Sequence, residues 1–141
     1  MVIGFTGTRE GMTRAQEAGV LEILRGLGDV RGAHHGDAIG ADARFHDFCL
    51  ELGIPVYLHP ADDPKDRAHC KGARDASPPR KFLDLNQDIV DWSHTIIATP
   101  ATAKEQLRSG TWAAVRYARK RGRAIHIVWP DGTVAFELGA S

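Results

Sequence analysis

Val2-Ile3-Gly4-Phe5-Thr6-Gly7-Thr8-Arg9-Glu10-Gly11 is the stretch that decides the fold. Val2 to Thr6 is a short apolar run of strand length, and Gly7 to Gly11 reads as a loop. Thr13 then stands in N-cap position, and Gln16 three residues on completes a capping box. Ala18, Leu21, Leu24 and Leu27 recur at helical spacing up to Gly28. Strand, glycine loop and helix in that order form the first half of a βαβ unit.

The rest of the chain continues the alternation. Val30 to His35 is a weaker second strand ending at Gly36-Asp37, and a helix follows from about Gly40 to Leu52 with Phe45, Phe48, Cys49 and Leu52 on one face. Ile54 to Leu58 is a third strand, whose Pro55 suits a sheet edge. His59 to Pro79 is polar and holds four prolines, the composition of a lid, a binding loop or a disordered segment; its Lys71-Gly72-Ala73-Arg74 piece is a candidate lid. Phe82, Leu85, Ile89 and Trp92 restore helical spacing before the apolar strand Thr95–Thr99. The turn Ser109-Gly110-Thr111 opens another helix, which Gly122 ends. Ala124 to Trp129 is a fifth strand, Pro130-Asp131-Gly132 a tight turn and Thr133 to Leu138 a hairpin strand. The pattern predicts a single domain over residues 1–141: an α/β, Rossmann-like three-layer fold with a mostly parallel sheet in the order 3-2-1-4-5 and a C-terminal hairpin strand.

Composition sets the outer bounds. The chain has 141 residues, 43% of them hydrophobic and 26% charged, as in an ordinary globular domain. Lysine and arginine balance aspartate and glutamate at 18 each, so bulk charge gives no reason to expect nucleic acid or membrane. No apolar run is long enough to span a bilayer and no signal peptide is apparent, which leads us to expect a cytoplasmic protein without membrane partners. Cys49 and Cys70, the only cysteines, lack CxxC spacing and are expected to be reduced. His34, His35, His46, His59 and His69 show no metal-ligand spacing, so neither metal nor cofactor is expected.

In a sheet of this order, ligands bind beyond the carboxyl ends of the strands where the chain direction reverses. Three turns converge there. The first is Gly4-Phe5-Thr6-Gly7-Thr8-Arg9, in which Thr8 and Arg9 offer contacts to a phosphate or base. The second is His35-Gly36-Asp37-Ala38-Ile39-Gly40-Ala41-Asp42, with carboxylates suited to ribose hydroxyls, although Asp42 at a helix start is also favoured by the dipole alone. The third is Ser109-Gly110-Thr111, where free amides and hydroxyls at a helix N-terminus suit a phosphate. Plain N-capping by Ser109 or Thr111 is the commoner use of such residues.

These turns, with Asn86-x-x-Ile89-Val90-Asp91 and Ala98-Thr99-Pro100, occur in an order that resembles the SLOG superfamily of Rossmann-like nucleotide-binding proteins. The similarity is greatest to its small stand-alone YspA/YpsA-related members, phage versions among them. Lonely Guy phosphoribohydrolases and DprA are more distant. The resemblance implies a nucleotide or nucleotide-derived ligand, sensed or sequestered, at Gly7, Thr8, Arg9, Gly36, Asp37, Gly40, Asp42, Asn86, Pro100, Ser109, Gly110 and Thr111. It also implies a homo-oligomer.

Two departures from the family pattern bear on chemistry. Lonely Guy enzymes follow their glycine turn with a catalytic glutamate, whereas here the helix opens Thr111-Trp112-Ala113-Ala114 without a carboxylate. Cleavage of an N-glycosidic bond builds oxocarbenium-like charge that a carboxylate stabilises, so hydrolysis would need Asp37 or Asp42 in that role. Leu85 stands where related small proteins often have arginine. A third reading is DprA-like binding of single-stranded DNA by Arg116, Arg119, Lys120, Arg121 and Arg123; cations at a helix C-terminus are, however, commonly a solvated face.

Overall fold

A computed structural model describes residues 1–139. Seven strands form one sheet: β1 (Val2–Gly7), β2 (Gly32–His35), β3 (Val56–Leu58), β4 (Asp75–Ala76), β5 (Thr95–Thr99), β6 (Ala124–Val128) and β7 (Val134–Glu137). Four helices accompany them: α1 (Arg14–Gly26), α2 (Ala41–Glu51), α3 (Phe82–Trp92) and α4 (Gly110–Lys120). The strand order is β4-β3-β2-β1-β5-β6-β7, parallel throughout except for the antiparallel pairing of β7 with β6. The α/β three-layer expectation therefore holds, with one addition at the edge. Strand β4 pairs outside β3, so β3 is not the sheet edge that Pro55 suggested. Pro55 instead precedes the strand, where a missing N–H costs little, and its carbonyl accepts from Ala33 N–H at 2.9 Å.

The two faces carry separate cores. Val20 and Leu24 of α1 and Phe45, Phe48 and Cys49 of α2 bury Ile3, Phe5, Ala33, Val56, Leu58 and Ile97. Val90 of α3 and Trp112, Val115 and Ala118 of α4 bury Ile96, Ala98, Ile125 and Ile127 on the opposite face. Successive residues of β5 thus serve opposite cores, as the two-residue period of a strand requires when both faces are covered.

Local chemistry sets the N-terminal ends of α1 and α2 at the carboxyl ends of the strands. The capping box forms as expected: Gln16 N–H donates to Thr13 Oγ1 at 3.0 Å, and Thr13 N–H to Gln16 Oε1 at 2.9 Å. Gln16 Nε2 also donates to the carbonyls of Pro100 (2.8 Å) and Val128 (3.0 Å), so one buried side chain caps α1 and ties it to the ends of β5 and β6. The loop after β1 rests directly on Gly40. There φ is +91°, and an added Cβ would lie 2.3 Å from the Arg9 carbonyl oxygen. Ala41 N–H then donates to Thr8 carbonyl at 3.0 Å. Both the left-handed conformation and the close approach demand glycine. Gly40→Ala is expected to lower unfolding free energy by about 2–4 kcal/mol, read from the denaturant midpoint; an unchanged midpoint would contradict this packing.

Candidate functional site

A cleft opens at the carboxyl ends of β1 and β2, between the start of α2 and helix α3. It is narrow, with a volume of about 60 Å³ below its open mouth, and its apolar walls are Phe82, Leu85 and Ile89. Gly7, Arg9, Gly36, Asp42 and Asn86, all singled out from the sequence, line it together. Asp66 joins Arg9 across the mouth as an ion pair between the loop after β1 and the segment after β3.

Asp42 occupies the start of α2 and is 7% exposed. Its Oδ2 accepts from the backbone N–H groups of Gly36 and Ala38, each at 3.1 Å. These are the amides a phosphate would have used, so the second turn is satisfied from within by its own carboxylate. Oδ1 makes no hydrogen bond among the described residues, in a side chain that lines the cleft. Burial pushes the carboxyl up to about 7 against the pull of the two amides, and Asp37 adds to the rise. Asn86, on α3, is 7% exposed and its Nδ2 is buried with no partner among the described residues. A buried amide nitrogen left unpaired costs free energy that a ligand oxygen would recover.

Asp37 takes a different place. It adopts φ +52° and has no solvent exposure, and it does not line the cleft. Its Oδ2 accepts from Arg67 Nε at 2.8 Å and its Oδ1 from Cys70 N–H at 2.8 Å, while its carbonyl accepts from Ala68 N–H at 2.7 Å. Burial alone would raise its pKa; the hydrogen bonds from Cys70 and Arg67 outweigh that and hold it below the usual carboxylate range. Asp37 is thus the anchor for the segment after β3. That segment contains a short 3-10 turn at Pro64–Asp66 and the strand β4, and its covering part over the cleft is Ala61 and Asp66. Lys71 to Arg74 lead instead back towards β4, with Lys71 carbonyl 2.7 Å from His46 Nε2 and Arg74 N–H on Val56 carbonyl.

The Ser109 turn caps α4. Ser109 Oγ accepts from Trp112 N–H at 3.3 Å, and Thr111 is buried. Neither residue nor Gly110 lines the cleft. The ring of Phe82 lies against Gly110, 2.5 Å from where a Cβ would stand, and Phe82 also lines the cleft, so it stands between the turn and the pocket. Gly110 and Thr111 N–H groups make no hydrogen bond among the described residues. Thr8 Oγ1 donates to Gly11 carbonyl at 3.4 Å, and Pro100 presents its carbonyl to Gln16.

Spacing gave no sign of one further cluster. His35, His46 and Cys70 bring ligand-type atoms within 4.8 Å of one another. Asp37 N–H donates to His35 Nδ1 at 2.9 Å, which puts the ring proton on Nε2. That proton goes to His46 Nδ1 at 2.9 Å, and His46 Nε2 in turn donates to Lys71 carbonyl. Every ring nitrogen is used, so neither imidazole has a lone pair free for a cation. Burial, then His46, pushes His35 down to about 3, and burial pushes the Cys70 thiol up to about 12. The cluster is a neutral hydrogen-bonded brace between β2, α2 and the segment around Cys70.

The chain matches no family model, no curated protein and no solved structure. The chemistry of the cleft is therefore read from its own residues. The folded chain keeps the Asp42 proton up to about pH 7, whereas an unfolded aspartate loses it near pH 3.9. Stability should fall as pH rises through that interval and level off above it, by at most about 4 kcal/mol. Asp42→Asn should flatten this slope in denaturant titrations; the same slope in the variant would assign it to another group.

Proposed function

We propose that the protein binds a nucleotide or nucleotide-derived ligand in this cleft. The observation that carries the reading is the pair of nearly buried polar side chains, Asp42 and Asn86, each with an unpaired hydrogen-bonding atom at one cavity. A ribose hydroxyl suits that pair, since it accepts from Asn86 Nδ2 and donates to Asp42 Oδ1 at the same time. The half-exposed ring of Phe82 suits a flat base, and Arg9 at the mouth suits a phosphate that would replace Asp66 as its partner. The site lies at the carboxyl ends of the strands beside the point where β1 has β2 on one side and β5 on the other, the usual ligand position in such sheets.

A second reading, cleavage of an N-glycosidic bond, rests on Asp42 alone. With its carboxyl raised to about 7, a share of it is protonated at neutral pH and can donate to a departing base. Binding of single-stranded DNA has less support, because Arg116 and Arg119 pair with Glu105, Arg119 also with Glu137, and Arg121 with Asp91.

The test is incubation of purified protein with a nucleotide panel, separation of bound from free, and mass detection after denaturation. An intact nucleotide is expected in the protein fraction, with affinity reduced about tenfold or more in Asn86→Leu. Free base and ribose phosphate, absent with Asp42→Asn, would favour the glycosidase reading. Retention of no nucleotide together with release of no free base would overturn both.

A further inference from the structure

On the face that carries α3 and α4, α3 packs on β1 and β2 and α4 on β1, β5 and β6. Beyond Trp92 a second hollow of about 630 Å³ lies over β2, β3 and β4. It shares no lining residue with the cleft. Its wall is a row of aromatic rings. His34 stacks on Tyr57 at 5.0 Å and 20°, and on Trp92 at 6.0 Å and 9°. Trp92 is 68% exposed, a large aromatic surface left without cover.

Two polar features accompany the rings. His34 is 7% exposed, with Nδ1 2.7 Å from His59 Nε2, and His59 Nδ1 is 3.5 Å from Ser77 Oγ. His34 Nε2 has no partner among the described residues and is not sealed from solvent, so it opens on the hollow that His34 lines. Burial, then the neighbouring His59, pushes His34 down to about 4, which keeps the ring neutral. Arg31 supplies the positive charge. Its Nε has a loose contact of 3.4 Å with an exposed Asp29, and its two terminal nitrogens have no partner among the described residues. The one carboxylate in the lining, Asp75, turns Oδ1 to Ala76 N–H at 2.8 Å.

We propose that this hollow is a second ligand site and that it takes a flat aromatic carboxylate. The ring lies against the Trp92 and Tyr57 surfaces, and the carboxylate accepts from Arg31 and from His34 Nε2–H. An anion there selects one proton arrangement: Nε2 of His34 carries hydrogen, Nδ1 accepts from His59 Nε2–H, and the Ser77 hydroxyl donates to His59 Nδ1. The buried imidazole pair thereby acquires a use that an apolar residue at position 34 would not supply.

The test is titration of the intact protein with benzoate and with its neutral counterpart benzamide. Tryptophan fluorescence and backbone amide NMR shifts report together, because Trp112 is buried and Trp129 half-buried, leaving Trp92 as the accessible reporter. Benzoate should give saturable shifts confined to the hollow, with binding about tenfold weaker for benzamide and for Arg31→Ala. Trp92→Phe should remove the fluorescence change while the shifts remain. His59→Gln should weaken benzoate binding in a chain whose amide spectrum is still folded. Absence of saturable shifts, or equal binding of benzoate and benzamide in both wild type and Arg31→Ala, would overturn the proposal.

Discussion

A carboxylate without solvent contact has to be met entirely by the protein, and at Asp37 that requirement organises the whole segment between β3 and α3. Leaving one partner of such a group unmade costs several kcal/mol, far more than an exposed ion pair contributes. Arg67 and the backbone at Ala68 and Cys70 must therefore arrive together at the end of β2. Their arrival fixes Asp66 against Arg9, places Ala61 over the cleft, and brings Cys70 beside the His35–His46 brace. An otherwise irregular stretch rich in proline is held by a few strong contacts rather than by a core of its own.

The alternation of strands and helices was legible because its signals are local. Capping at Thr13, the spacing of Phe45, Phe48 and Cys49, and the apolar run Thr95–Thr99 each declare their element within a few residues. Strand β4 was not legible: Asp75 and Ala76 are exposed, have no strand pattern, and pair only because β3 has a free edge. The same division runs through the site. Gly7, Arg9, Gly36, Asp42 and Asn86 converge as the topology requires. Asp37 turns away because its backbone is left-handed, a choice that tertiary contacts make and that residue type does not announce. Phe82 was legible as a helix-face residue, but its position between Gly110 and the cleft depends on how α3 meets α4.

The histidines illustrate how burial changes a residue's meaning. His35 and His46 are adjacent because β2 and α2 face each other, and a one-way chain of donors from Asp37 N–H to Lys71 carbonyl leaves them neutral and fully used. His34, one residue earlier, points to the opposite face and ends its chain at an open nitrogen. Two neighbours in sequence thus sit in one closed network and one unfinished one, separated by the thickness of a sheet.

The central position of β1 also governs how the chain is assembled. Val2–Gly7 leaves the ribosome before the other strands of the sheet, yet one of its two partners, β5, is Thr95–Thr99. Until that strand emerges, β1 keeps one edge of unsatisfied backbone groups. Closing so long a loop before any contact rewards it is slow, so docking of β5 beside β1 is the step expected to limit folding. The half that precedes it, through β3, waits as an open sheet, and that interval is when the nascent chain is most exposed to wrong pairing.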